Sequence, residues 1–164
     1  MTDNILDDFS KFFDNPIDRF MAEAIKEARK AEEAGDVPIG AVIVHDGMII
    51  ARAHNQVEAL RDATAHAEII AITQASAHFD NWRLSETTLV VTKEPCPMCA
   101  GAIMNARVGK VVFGVYDPKY GAAGSVYPIL TDDKMYHKVE LLGGVREDEC
   151  RQMIQNFFQK VRKK

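Results

Sequence analysis

Residues 94–99 read Glu-Pro-Cys-Pro-Met-Cys, and the interpretation of the whole chain starts from this stretch. Its two thiols, Cys96 and Cys99, stand three residues apart, and the chain has only one other cysteine, Cys150. Pro95 is suited to the start of a helix, and residues three apart on a helix point to the same side. Two sulfur atoms in this arrangement can bind one metal ion.

A third ligand has to come from another part of the chain. The best candidate lies in residues 64–68, Thr-Ala-His-Ala-Glu, where His66 precedes Glu68 by two positions. His-x-Glu followed by Pro-Cys-x-x-Cys is the signature of the zinc nucleobase deaminases. We therefore expect His66, Cys96 and Cys99 to bind one Zn²⁺ per chain, with the fourth tetrahedral position left to water.

Glu68 is the expected catalytic residue. Zinc lowers the pKa of bound water toward neutrality and so supplies a nucleophile for an aromatic carbon that bears an amino group. A carboxylate that does not bind the metal can take the proton of this water, pass it to the ring nitrogen and finally protonate the departing ammonia. The paired motifs therefore predict hydrolytic deamination.

Other interpretations of the same residues stay open. Cys96 and Cys99 form a redox pair if they lie in a thioredoxin-like context, although the surrounding sequence lacks one. A structural zinc site needs a fourth ligand, for which the candidates are Cys150, His45, His54, His78 and His137. Glu94 is interpreted as a helix cap or as a hydrogen-bonding residue that orients the site. We expect Cys150 and Trp82 to pack in the interior.

Composition limits the class of protein. A chain of 164 residues with 47% hydrophobic residues can bury one good core, so a single domain is expected. No apolar run approaches the roughly 20 residues of a membrane span, and the acidic start is unlike a signal peptide, so we expect a cytoplasmic protein without a membrane partner. The net charge of −4 argues mildly against sequence-independent nucleic-acid binding. The basic end, residues 160–164, is either a solvated tail or an arm that contacts phosphate.

Hydrophobic periodicity predicts an α/β fold with three layers, in which helices cover a central mixed five-stranded sheet. The intervening helix predicts that the third and fourth strands are parallel, and Asp46-Gly47 predicts a hairpin turn between the first two. The stretch 55–63 is expected to be a loop, and 117–128 a functional loop. The expected helices are 16–35, 64–78, one that starts at 95, and 147–161, and the expected strands are 39–45, 48–54, 87–92, 110–115 and 138–142.

Several further stretches resemble one family. From about residue 17 onward, the chain resembles the bacterial tRNA-specific adenosine deaminase family. The resemblance implies a cytidine deaminase-like fold, with a zinc deaminase domain at 15–164 after an N-terminal extension at 1–14. The matching stretches are 37–42, 54–55, 62–68, 94–101, 111–114, 121–125, Glu149-Cys150 and Phe157-Phe158.

The resemblance also implies a substrate and further site residues. The substrate is the wobble adenosine of a tRNA anticodon loop, flipped into a pocket and converted to inosine by a homodimer whose subunits both contact the loop. Pro38, Ile39 and Asn55 are expected to line the pocket, with the Asn55 amide on the nucleoside. Asp117, Phe157 and Phe158 are expected to meet neighbouring nucleotides, although at least one of the two phenylalanines is also expected in the core.

One residue departs from the family pattern. Lys93 stands where family members usually have an apolar residue, commonly leucine, and the sequence does not decide whether it contacts phosphate or lies at the rim of the site. Two other functions remain open alternatives. The first is deamination of a free base or nucleoside of the guanine or cytosine type, because the core motif is shared with such enzymes. The second is a non-catalytic zinc module that binds RNA.

Overall fold

The computed structural model of the protein describes residues 15–164, so the predicted extension 1–14 lies outside the described residues. Within this range five helices and five strands alternate around one sheet. None of these helices has the length and apolar character that crossing a membrane requires. In chain order the elements are α1 (Pro16–Glu33), β1 (Gly40–His45), β2 (Met48–His54), α2 (Val57–Leu60), α3 (Ala67–Phe79), β3 (Thr88–Lys93), α4 (Pro97–Asn105), β4 (Lys110–Val115), β5 (Glu140–Leu142) and α5 (Glu147–Arg162).

The sheet is mixed, and its strands lie in the order β2-β1-β3-β4-β5. Strand β1 pairs antiparallel with both β2 and β3, whereas β3 and β4 are parallel, as are β4 and β5. The parallel pair β3 and β4 is joined through α4, as the sequence predicts. This pairing places the end of β3 and the start of α4 at the carboxyl edge of the sheet.

Side chains alternate between two apolar clusters, one on each face of the sheet. On one face Ile43, Leu89 and Val111 pack with α3 and α4, which contribute small residues such as Ala71 and Ala100. On the other face Val42, Val90 and Val112 pack with Met21 of α1 and Cys150 of α5. The three-layer α/β prediction is therefore confirmed, and Cys150 is a core residue.

The first helix shows how local sequence sets the boundaries. The Asn15 side chain accepts a hydrogen bond from the Ile17 amide (3.1 Å), and Pro16 occupies the first helical position. Gly35 follows the helix with a φ of +81°, a conformation that glycine adopts without strain. The predicted start of this helix is confirmed.

Several sequence expectations about boundaries and packing differ from the structure. The stretch 55–63, expected to be a loop, contains the short helix α2, whose four residues are too few for hydrophobic periodicity to detect. Helices α3 and α4 begin at Ala67 and Pro97, two to three residues later than expected. Trp82 does not pack in the interior, because 51% of its surface is exposed and the Arg83 guanidinium lies 4.2 Å above its ring.

Gly40 permits the close approach of α1 to the sheet. A Cβ atom at Gly40 would collide with the Ala24 carbonyl oxygen and the Ala28 amide nitrogen, which are backbone atoms that cannot move aside. We predict that Gly40→Ala lowers the free energy of unfolding by about 3 kcal/mol. Gly47→Ala should cost only about 1 kcal/mol, because Gly47 has open space around it and only its positive φ opposes a side chain. Chemical denaturation measures both values, and equal losses would contradict this account of Gly40.

Candidate metal centre

Two helices begin at the carboxyl edge of the sheet, and each begins immediately after a predicted metal ligand. His66 is the N-cap residue of α3, and Cys96 is the N-cap residue of α4. Both have extended backbone conformations, and neither side chain caps its own helix. Each side chain is therefore free to turn toward the other, while Cys99 lies within the first turn of α4.

The three predicted ligands meet. His66 Nδ1 lies 3.7 Å from Cys96 Sγ and 3.5 Å from Cys99 Sγ, and the three donor atoms all lie within 4.8 Å of one another. Tetrahedral zinc with ordinary Zn–S and Zn–N bond lengths separates a sulfur from a nitrogen by about 3.5 Å. The arrangement of one imidazole and two thiols therefore fits a tetrahedral metal ion.

No further protein ligand joins this cluster within residues 15–164. Cys150 is buried in the cluster on the opposite face of the sheet, and the His54 ring lies 3.2 Å from Glu27 Oε2. The rings of His45 and His137 lie near backbone carbonyl oxygens, those of Glu86 and Val108. In the described part of the chain, the candidates for a closed four-ligand site are therefore engaged elsewhere or outside the cluster.

The pKa values of the two thiols are shifted in opposite directions. A hydrogen bond from Cys99, assisted by the His66 ring, lowers the pKa of Cys96, although burial opposes the shift. The same hydrogen bond and burial raise the pKa of Cys99. The arrangement therefore favours a thiolate at Cys96 and a protonated Cys99, and a cation bound between the two sulfurs would replace the Cys99 proton.

Glu68 lies beside the cluster in the first turn of α3. Its side chain is buried, and its Oε2 is the only buried side-chain nitrogen or oxygen within residues 15–164 that has no hydrogen-bond partner. Burial raises the pKa of this carboxyl group. A carboxyl oxygen that has no partner among the described residues and lies next to candidate metal ligands is suited to exchange protons with a bound molecule.

The three residues expected to line the pocket lie next to each other at the start of α3. Pro38 and Asn55 are buried and Ile39 is half-buried, and the Asn55 amide donates to the Ile39 carbonyl (3.0 Å). The Asn55 side-chain oxygen accepts a hydrogen bond from the Ala67 amide (2.9 Å). Asn55 therefore supplies the helix-capping acceptor that His66 does not, and this contact fixes the orientation of its side-chain amide.

Glu94 is the central hydrogen-bonding residue of the loop that follows β4, a role that the sequence left open between a helix cap and an orienting residue. Its Oε1 accepts from the amides of Ala123 (3.0 Å) and Ser125 (3.2 Å). Its Oε2 accepts from the Asp117 amide (2.9 Å) and the Ser125 hydroxyl (2.5 Å). Because Cys96 occupies the cap position of α4, Glu94 orients the loop 117–125 and does not cap the helix.

Asp117 is held inside the protein. Its Oδ1 accepts from the amides of Lys119 (2.9 Å) and Tyr120 (3.2 Å), and its Oδ2 lies 2.8 Å from Lys93 Nζ. Burial opposes ionisation, but the hydrogen bonds from Lys93 and Lys119 prevail and lower the pKa of Asp117. Lys93 therefore pairs with a carboxylate of the neighbouring loop.

The last helix presents aromatic side chains outside the core. Phe157 is half-buried, 42% of Phe158 is exposed, and the two rings meet edge to face with centroids 5.4 Å apart. The expectation that at least one of them belongs to the core is therefore wrong. In the basic end of the chain, Lys160 pairs with Glu32 of α1 (2.9 Å), so this residue is not part of a free tail.

The chain is similar to known proteins in sequence and in fold. The MafB19-like deaminase family model matches residues 15–162. The chain is 52% identical over 145 residues to the tRNA-specific adenosine deaminase of Bacillus subtilis, which covers 88% of this chain and 90% of that protein. The chain belongs to the tRNA-specific adenosine deaminase family.

Three further similarities extend the comparison to a plant protein and to solved structures. The tRNA(adenine(34)) deaminase of Arabidopsis thaliana chloroplasts is 47% identical over 85% of this chain, which spans 12% of that protein. A structure solved in a study of A-to-I editing by tRNA:A34 deaminases superposes with a TM-score of 0.79 and 42% identity, covering 82% of this chain and 98% of that one. A guanine deaminase from Nitrosomonas europaea shares the fold, with a TM-score of 0.76 at 22% identity over 85% and 83% of the two chains.

The two cysteines of the cluster and the core cysteine should respond differently to substitution. We predict that Cys99→Ala weakens Zn²⁺ binding by more than about 100-fold, because even the loss of an outer hydrogen-bond partner of a ligand costs about 10–100-fold. Cys150→Ala should keep one metal ion per chain, because Cys150 lies on the other face of the sheet. Metal content after dialysis measures both, and stoichiometric zinc in Cys99→Ala would refute the ligand set.

Replacing Glu94 with a neutral residue should destabilise the fold. Glu94→Gln places an amide that donates hydrogen bonds where amide and hydroxyl donors already converge, so we predict a loss of about 2 kcal/mol or more in the free energy of unfolding. Glu86→Gln changes an exposed side chain in the same way and should stay within about 0.5 kcal/mol of the parent. Denaturant titrations compare the two, and a harmless Glu94→Gln would show that the four hydrogen bonds are not needed.

Proposed function

We propose that the protein is a zinc-dependent hydrolase that converts adenosine to inosine at the wobble position of a tRNA anticodon. The observation that carries this proposal is the cluster of His66, Cys96 and Cys99 beside Glu68, whose buried Oε2 has no hydrogen-bond partner among residues 15–164. Membership of the tRNA-specific adenosine deaminase family supports the substrate. The 52% identity to a tRNA-specific adenosine deaminase favours RNA over a free base as the substrate.

The donor set supports zinc as the metal. Two thiols and one imidazole are ligands that zinc prefers, and three protein ligands are typical of a catalytic rather than a structural zinc site. When bound there, zinc would supply an activated water at neutral pH and would stabilise developing negative charge. The positive ends of α3 and α4 both point toward this site and favour the thiolate forms of Cys96 and Cys99.

Glu68 carries the proton transfers in the proposed reaction. Its carboxylate takes a proton from the attacking water and delivers it to N1 of adenine as the new C–O bond forms at C6. It then transfers the second water proton to the amino group, so that the C–N bond breaks and ammonia leaves. Burial raises the pKa of Glu68, and a raised pKa makes its carboxylate a stronger base for the first of these proton transfers.

Asn55, Pro38 and Ile39 form the proposed nucleoside pocket. Because the Asn55 side-chain oxygen is occupied by the Ala67 amide, its NH₂ group is the part available to donate to a nucleoside. Pro38 and Ile39 offer an apolar wall, which suits the face of a flipped base. These three residues position the substrate, and Glu68 transfers the protons.

The remaining features are assigned to the RNA and the assembly. Phe158 is accessible for stacking on a nucleotide next to the target, and the neighbouring Phe157 supports its ring. Asp117 acts by shaping the loop that flanks the site. In keeping with the family resemblance, we propose a cytoplasmic homodimer whose subunits share one anticodon loop, with residues 15–164 as the deaminase domain.

The test uses the zinc-loaded protein and an RNA stem-loop with adenosine at the wobble position. We predict inosine formation by the parent and a loss of about 100- to 10,000-fold in kcat for Glu68→Gln, because both proton transfers depend on this carboxylate. Glu33 is exposed at the end of α1, so Glu33→Gln should leave kcat within about twofold of the parent value. Mass spectrometry of the digested RNA measures inosine, and metal analysis should find zinc retained in both variants.

The outcomes separate the proposed function from its alternatives. Turnover of guanine, cytosine or a nucleoside without inosine in RNA would replace RNA deamination with free-substrate deamination. Tight RNA binding without turnover of any substrate, unaffected by Glu68→Gln, would indicate a non-catalytic zinc module.

A further inference from the structure

Lys93 and Glu94 are consecutive residues at the end of β3, and both contact the loop 117–125. Glu94 binds the loop through the backbone amides of Asp117, Ala123 and Ser125. Lys93 binds it through the Asp117 side chain, with 2.8 Å between Nζ and Oδ2. Two adjacent side chains thus attach this loop to the strand that leads directly to the metal ligands.

The Asp117 carboxylate depends on Lys93 for its charge balance. Only 8% of the Asp117 side chain is exposed, and Lys93 is the one cation paired with it within residues 15–164. Removing the partner of a buried ion pair leaves an uncompensated charge, which is costly. Without Lys93 the carboxylate would turn toward solvent, and the amides of Lys119 and Tyr120 would lose the acceptor that orders their turn.

This turn forms one wall of a surface groove. Pro118 and Lys119 line a groove of about 340 Å³ whose other wall includes Arg151 and Ile154 of α5. Ile154 is three and four residues before Phe157 and Phe158, so the three side chains share one face of the helix. Under the proposed function, nucleotides next to the target adenosine pass between this helix and the loop.

We propose that Lys93 is a positioning residue for RNA, which acts by holding Asp117 and the turn 117–120 in place. This inference rests on the proposed function. A direct contact with a phosphate group is disfavoured, because the Lys93 ammonium is already paired and Arg151 across the groove is itself paired with Glu147 and Asp148. Two of the three cations that line the groove, Lys93 and Arg151, are therefore already paired, and the role of Lys93 is to set the shape of the groove.

The first test measures RNA affinity in the Glu68→Gln background, where turnover does not complicate binding. Lys93→Met should raise the Kd for an anticodon stem-loop by about tenfold. Lys110→Met is the matched control, because Lys110 is similarly exposed (26% against 30%) and its ion pair with Glu140 (3.0 Å) lies at the opposite end of the strands. This control should bind within about twofold of the parent. An unchanged Kd in Lys93→Met would overturn the proposal.

Kinetics in the parent background separate positioning from catalysis. Lys93→Met should raise KM with kcat within about twofold, and Lys93→Arg should restore KM because it restores the ion pair. The double variant Lys93→Met with Asp117→Asn should bind RNA no more weakly than Asp117→Asn alone, since Lys93 acts through that carboxylate. Additive losses would show that Lys93 contacts RNA by itself and would overturn the proposal.

A third measurement does not depend on the substrate. Hydrogen exchange of the Lys119 and Tyr120 amides should be about tenfold faster in Lys93→Met than in the parent, and unchanged in Lys110→Met. Equal exchange in the parent and in Lys93→Met would overturn the positioning role. If the parent protein makes no inosine in RNA, the proposed function fails, whereas this exchange experiment still decides whether Lys93 orders the turn.

Discussion

His66 and Cys96 each occupy the residue before the first turn of a helix, where the backbone amides have no partners within the helix. A serine, threonine, aspartate or asparagine there would stabilise each helix by about 1 kcal/mol. Both side chains instead turn toward a shared point, and Asn55 supplies an acceptor for the Ala67 amide in place of His66. The candidate metal centre therefore depends on two helix starts whose first residues are proposed ligands instead of helix caps.

The sheet brings these helix starts together. Strand β3 pairs antiparallel with β1 and parallel with β4, so the start of α4, the end of β4 and the residues before β1 all lie near the same edge. Glu94 then ties the loop 117–125 to this edge through four hydrogen bonds, and Lys93 adds an ion pair. The ligands, the proposed pocket and the flanking loop thus share one rigid support.

Most of this arrangement is predictable from the sequence, because it follows from hydrophobic periodicity within each element and from the two motifs that contain the candidate ligands. Alternating and helical periodicity located the strands and long helices, and the spacing of Cys96, Cys99 and His66 located the cluster. Helix α2 is not predictable in this way, because four residues are too few to show a hydrophobic periodicity. The exposure of Trp82 and Phe158 depends on packing with distant parts of the chain. The four hydrogen bonds of Glu94 and the Lys93–Asp117 ion pair form only when the chain folds, because the partners lie 23–31 residues away in the sequence.

X-ray absorption spectroscopy of the zinc-loaded protein is the most direct test of a zinc site with three protein ligands and water as the fourth ligand. The account predicts two sulfur ligands at about 2.3 Å together with one nitrogen and one oxygen at about 2.0–2.1 Å. The oxygen should exchange with solvent or an added competing ligand. A shell of four protein ligands without a solvent oxygen would contradict the account, because the site would then be structural.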